Sequence, residues 1–158
     1  MNRLQPEDLK ELDGEKVIEI DELMSMLKVR PCYDTRKGWW TAVDKSKIIE
    51  LARELYKTQP IERPAWRLKD GKYVLDYGWY EKDWFDCDDY AFAMLGWIRK
   101  YLPNAAFFYC EVFIPSQRIY HALNFLYATD SKLYYFEPQN LKFFAYPYSR
   151  WELTYLFG

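Results

Sequence analysis

Histidine is all but absent from this chain: His121 stands alone among 158 residues. Sites built from histidine clusters are therefore excluded. Any thiol–imidazole chemistry must run through His121. Cysteine is nearly as sparse. Cys32, Cys87 and Cys110 include no Cys-x-x-Cys pair, so neither a zinc-ribbon site nor a disulfide framework is expected. An odd thiol count fits a reducing compartment, with a Cys32–Cys110 bridge left open. Neither sign of charge dominates. The net charge is −2, and the lysines and arginines are scattered rather than gathered in a stripe. That argues against a nucleic-acid partner. No apolar run approaches the ~20 residues of a membrane span. The acidic, polar start Met1-Asn2-Arg3-Leu4-Gln5-Pro6-Glu7-Asp8 does not read as a secretion signal. The expectation is a cytoplasmic protein with neither a nucleic-acid nor a membrane partner; its oligomeric state is not legible.

What is abundant is aromatic side chains. Seven Trp, 15 Tyr and 10 Phe make up a fifth of the residues, ample for a packed core and against disorder. The length suits a single domain spanning 1–158. The stretch 77–85, with Tyr77, Trp79, Tyr80, Trp84 and Phe85, and the pair Trp39-Trp40 are dense in rings. Such rings either wall the core or line a substrate cleft.

Periodicity gives an α+β order. Residues 1–60 read as a mainly helical N-terminal part. It has a short turn after Pro6, a helix from Asp21 to about Lys28, an irregular stretch over 29–43, and an amphipathic helix capped by Asp44. Residues 64–146 read as a core of the catalytic type. A hairpin turns at Asp70-Gly71, a long helix runs from Cys87 to about Tyr101, and strands fall near 105–113, 119–128, 132–137 and 141–146. The C-terminal segment 150–156 reads as a helix or a strand, with the helix favoured.

Cys87 opens the long helix within Asp86-Cys87-Asp88-Asp89-Tyr90-Ala91. Cys87, Ala91, Met94, Ile98 and Tyr101 share its buried stripe. Asp86 is a natural N-cap, with Asp89 as its capping-box partner. On one reading Cys87 is a small core residue and the aspartates serve the helix dipole. On the other, free N–H groups favour a thiolate, the aspartates oppose it, and an imidazolium must complete the activation.

His121 alternates with Leu123 and Phe125 on one face of its strand, which is expected to face the helix. Glu137 ends the next strand. A turn centred between Asp130 and Ser131 sets His121 opposite Asn140, leaving Glu137 a few residues away and within diagonal reach only. A core histidine and a strand-end carboxylate are the plain alternatives. A thiol, an imidazole and a carboxylate on helix start, strand and following strand are also the parts of a nucleophile site.

These segments, Asp86-Cys87-Asp88-Asp89-Tyr90-Ala91, His121-Ala122-Leu123-Asn124 and Glu137-Pro138-Gln139, resemble the papain-like and transglutaminase-like cysteine peptidase superfamily. They are most similar to the branch represented by the protease domain of a mushroom agglutinin, with its Cys-His-Glu triad. The resemblance spans about residues 77–140. It implies a nucleophile helix packed on an antiparallel sheet, with Cys87 as nucleophile, His121 as general base and Glu137 as its orienter. Papain-type enzymes carry a glutamine shortly before the nucleophile. Here Trp84, Tyr80, Gln139, Asn124 or the Cys87 backbone N–H stands in as candidate oxyanion donor. The branch is calcium-activated, which makes Asp86, Asp88 and Asp89 candidate calcium ligands; no other cofactor is implied.

The function this implies is acyl transfer, above all hydrolysis of a peptide or protein amide. The alternative is a non-catalytic domain of the same fold that binds peptide, glycan or protein.

Overall fold

The computed structural model describes residues 16–76, 78 and 86–158. Among them, three helices and ten strands make a mixed fold that is mostly sheet. The turn expected after Pro6 lies outside the described residues, as do Tyr80 and Trp84.

Long apolar runs build the central sheet. β6 (Phe107–Ile114), β7 (Ile119–Tyr127) and β8 (Leu133–Glu137) are buried on both faces over most of their length, as strands covered on both sides must be. With β2 (Cys32–Asp34), β9 (Lys142–Ala145) and β10 (Glu152–Phe157) they form one sheet in the order β2-β10-β6-β7-β8-β9. β1 (Val17–Glu19) and β3 (Trp39–Thr41) pair as a separate ribbon. The expected hairpin is β4 (Ala65–Lys69) with β5 (Lys72–Asp76). Asp70 and Gly71 both take positive φ, 50° and 77°, as a type I′ turn demands.

One sheet face carries α2 (Lys45–Thr58) and α3 (Cys87–Tyr101). Ile48, Leu51 and Leu55 of α2 and Ala91, Met94 and Ile98 of α3 pack there on Phe107, Tyr109, Ala122 and Leu126. Asp44 caps α2 by accepting from the Ser46 N–H at 2.8 Å. The opposite face carries α1 (Ile20–Ser25) and the β1–β3 ribbon. Leu23, Met24 and the wholly buried Trp40 there meet Phe108, Cys110, Leu123 and Phe125.

Several expectations need correction. The first helix starts at Ile20 and stops at Ser25, because Glu19 rather than Asp21 supplies the cap, accepting from the Asp21 N–H at 2.7 Å. Strands β1, β2 and β3 interrupt the helical character expected of residues 1–60, and the main sheet recruits β2 and β10 from outside 64–146. Residues 152–157 form a strand, not a helix. Leu153 and Leu156 are both buried on one face at a spacing of three. The cause is a register shift between Leu153 and Tyr155, where β10 carries one extra residue against β6. A bulge thus imitates helical spacing. The buried stripe of α3 ends before Tyr101, which lies exposed with its ring edge-on to Trp97. All three cysteines are free. Cys32 and Cys110 stand on β2 and β6 with β10 between them, a gap of roughly 10 Å at ~4.8 Å per strand, beyond disulfide reach.

Candidate active site

The site lies where β8 stops and β7 continues. The β7–β8 ladder ends at Asn124↔Phe136. Beyond Glu137 the chain enters Pro138, which has no N–H to extend the ladder, and turns into β9. Residues 119–123 are thus paired on one side only, with β6. The Ala122 N–H on the open edge would otherwise be unmatched. It donates to the Cys87 sulfur at 3.5 Å.

The hairpin loop between β7 and β8 sets the rest of the geometry. It holds three residues, Thr129, Asp130 and Ser131, between the paired residues Ala128 and Lys132. Ser131 sits at φ 66°, the left-handed position that closes such loops. The hairpin is therefore centred on Asp130, not between Asp130 and Ser131 as expected. One residue of register moves every side chain to the other face. The observed register puts His121 and Glu137 on the same face, and His121 Nε2 lies 2.5 Å from Glu137 Oε2.

The facing of His121 also differs from expectation. Leu123 and Phe125, which share its side of β7, pack against the face opposite α3. The thiol reaches the ring only because Cys87 comes over the open edge. Glu137 hydrogen-bonds the ring, and the Cys87 sulfur lies beside it, bound to the Ala122 N–H. With Nε2 committed to Glu137, Nδ1 is the nitrogen left for Cys87. Burial is the largest single influence on His121 and disfavours its charge. The hydrogen bonds and negative charge of Cys87 and Glu137 outweigh it, and the imidazolium is pushed up to about 9.

Glu137 is itself fixed, since Oε1 accepts from the Gln139 N–H at 3.1 Å. The next carbonyl, that of Pro138, accepts from the Tyr56 hydroxyl at 2.8 Å. Gln139 thus enters the site through its backbone and stays half-buried beside it. Asn124, a candidate oxyanion donor, serves another purpose. It is wholly buried, and its amide donates to the carbonyls of Ala91 on α3 and Phe108 on β6, at 3.0 and 3.2 Å. It ties α3 to the sheet.

Asp86, Asp88 and Asp89 place one carboxylate oxygen each within 4.8 Å of one another. Asp86 and Asp89 form the expected capping box, with the Asp86 N–H donating to Asp89 at 3.0 Å. The hydrogen bond to Asp86, then burial, then the charges of Asp86 and Asp89 push the Asp88 carboxyl up to about 6. These are the hard oxygen donors calcium takes, and they fit the cation in charge. They supply three of the six to eight ligands it needs.

Two neighbours of Cys87, His121 and Glu137 gave no sequence signal. The Trp151 ring stands edge-on to the His121 ring, 6.4 Å between centroids at 71°. Only the return of the chain toward β10 brings it there. Tyr109, whose hydroxyl donates to Glu111 at 2.8 Å, packs in the same cluster as Cys87.

No protein-family model matches the sequence, and no curated protein matches it. Solved structures do. One is the Polyporus squamosus lectin bound to the human-type influenza-binding epitope Neu5Aca2-6Galb1-4GlcNAc, with a TM-score of 0.64 at 16% identity over 90% of this chain. Another is a PSL1a–E64 complex, with a TM-score of 0.63 at 16% identity, again over 90% of this chain. This chain spans about half the length of each, 49% and 50%. At that identity the likeness is one of fold alone. Among the described residues, no helix is long and apolar enough to cross a membrane.

Proposed function

We propose that the chain is a cysteine-dependent acyl-transfer enzyme on a papain-like, transglutaminase-like scaffold, acting on amide bonds of a peptide or protein. The observation that carries this is the His121–Glu137 hydrogen bond with the Cys87 sulfur beside it, held by the Ala122 N–H at a helix start and an open strand edge. Cys87 and His121 react as a thiolate–imidazolium pair, with the Cys87 proton residing on Nδ1. The sulfur then bonds to the amide carbon, and the carbonyl electrons move to oxygen. The Cys87 N–H, in the free first turn of α3, and the Gln139 side chain are the donors for that oxyanion. On collapse the C–N bond breaks, and the imidazolium protonates the departing amine. Water, deprotonated by His121, attacks the thioester carbon and frees the acid and the thiol. Glu137 holds the ring by Nε2 and supports its positive charge. The chemistry needs no cofactor. Calcium at Asp86, Asp88 and Asp89 would neutralise carboxylates that oppose a thiolate at Cys87.

A second reading is a binding domain without catalysis. The comparison favours it, since the similar lectin holds a glycan, and a lectin fits binding better than catalysis. Iodoacetamide labelling across pH, mapped to each cysteine, separates the two. Selective labelling of Cys87 near neutral pH, lost in His121→Ala, is expected of the enzyme. Uniformly slow labelling of Cys32, Cys87 and Cys110 would leave the binding domain standing.

A further inference from the structure

Trp151 has two sides. One edge meets His121; the other forms a wall of a cavity of about 600 Å³. That volume lies in the range of small-ligand sites. The cavity opens between the end of α1 and the turn leading into β10. Its apolar wall includes Tyr146, whose hydroxyl accepts from the Lys28 N–H at 2.8 Å and so joins the two sides. Lys28, Arg30 and Arg150 stand on its rim, against Glu152 as the one carboxylate. Arg30 has a distant, exposed contact with Asp21 at 3.9 Å. Neither Lys28 nor Arg150 has a carboxylate partner among the described residues. Three cations against one anion around an aromatic wall make a site for a carboxylate with an apolar stem.

We infer that this cavity is the specificity subsite for an acidic side chain, glutamate or aspartate, of a peptide substrate. The inference rests on the acyl-transfer reading for what happens next, and on the cavity alone for binding. A side chain lying on Trp151 is one ring away from His121. At ~3.3 Å per extended residue it belongs to a position one or two residues from the bond that Cys87 attacks. Lys28 and Arg150, which have no carboxylate partner among the described residues, select for negative charge, and the aromatic wall takes the methylenes.

The test uses the full chain carrying Cys87→Ser, which binds without turnover. Tryptophan fluorescence follows titration with a blocked hexapeptide containing two glutamates, and with its glutamine twin. The acidic peptide should bind about tenfold more tightly, as two or three partly exposed ion pairs allow. The preference should vanish in Lys28→Glu/Arg150→Glu and persist in Arg118→Glu, an exposed control outside the cavity. Lys28, Arg118 and Arg150 are exposed and Cys87→Ser changes little volume, so unchanged circular dichroism is expected throughout. Equal affinity for the two peptides would overturn the subsite, as would a preference indifferent to the double substitution. Binding of Neu5Aca2-6Galb1-4GlcNAc but not of the acidic peptide would overturn the peptide assignment. Inert Cys87 with the preference intact would defeat the enzyme and leave the subsite. Reactive Cys87 with no preference would do the reverse.

Discussion

Replacing Glu137 by glutamine keeps the side chain's shape and removes its charge, which isolates what that charge does to His121. Burial alone would hold the ring below its ordinary 6.5, yet the ring sits at about 9 because Cys87 and Glu137 act together. An opposite charge at hydrogen-bond distance is worth about one to three pH units. Glu137→Gln should therefore bring the His121 midpoint down to roughly 6–8. The lone histidine makes the assay simple. In tag-free protein the imidazole C2 proton gives one resonance, and its shift against pH is the titration curve. The sign of the stability effect follows from the same shift. The folded value lies above the unfolded one, so this stabilisation is complete below pH 6.5 and is lost as pH rises through about 9. At 1.36 kcal/mol per pH unit the whole gap is worth roughly 3 kcal/mol, shared between Glu137 and Cys87. Urea unfolding of Glu137→Gln should show a loss of roughly 1–4 kcal/mol at pH 6 and far less at pH 10. A His121 midpoint unmoved by the substitution would mean that Glu137 does not govern its charge, and the triad would lose its third member.

Cys87→Ser should abolish hydrolysis of an amide substrate while shifting the urea midpoint by less than ~1 kcal/mol equivalent, because the volume change is small. Hydrolysis by the native chain should fall as pH rises past about 9, where His121 loses the proton that the leaving amine needs; a rate still climbing at pH 10 would contradict that role. Asn124→Ala should cost roughly 2 kcal/mol or more in urea unfolding, since it strips partners from the carbonyls of Ala91 and Phe108 and opens a void; a smaller loss would show that the amide is not the tie between α3 and the sheet.

The parts of the site were legible in the sequence because each sits at a local landmark. Cys87 follows an N-cap, His121 lies in an alternating run, and Glu137 precedes a proline. Their relation was not, because it depends on distant chain. The period of the strand marks which residues share a face with His121, but not which layer covers that face. The N-terminal ribbon covers it, and that ribbon is made of strands three residues long, too short for a periodic signal. Asn124 illustrates the same gap. Its place beside His121 suggested chemistry, whereas its zero exposure and two backbone partners come from α3 and β6. Trp151 was hidden behind a bulge that made its segment look helical.

The register explains why the site forms at this corner of the sheet. A two-residue loop at Asp130-Ser131 would have turned Glu137 toward the face of Asn124 and Ala122, onto α3 and away from the His121 ring. The third loop residue, with Ser131 in the left-handed region, returns Glu137 to the side of His121. Pro138 then stops the ladder short of His121 and leaves the Ala122 N–H open. A backbone donor left bare at a half-buried edge is costly, and a sulfur is a weak acceptor for it. The loop length and Pro138 therefore act together: one turns Glu137 onto the His121 ring, and the other opens the edge over which Cys87 meets it.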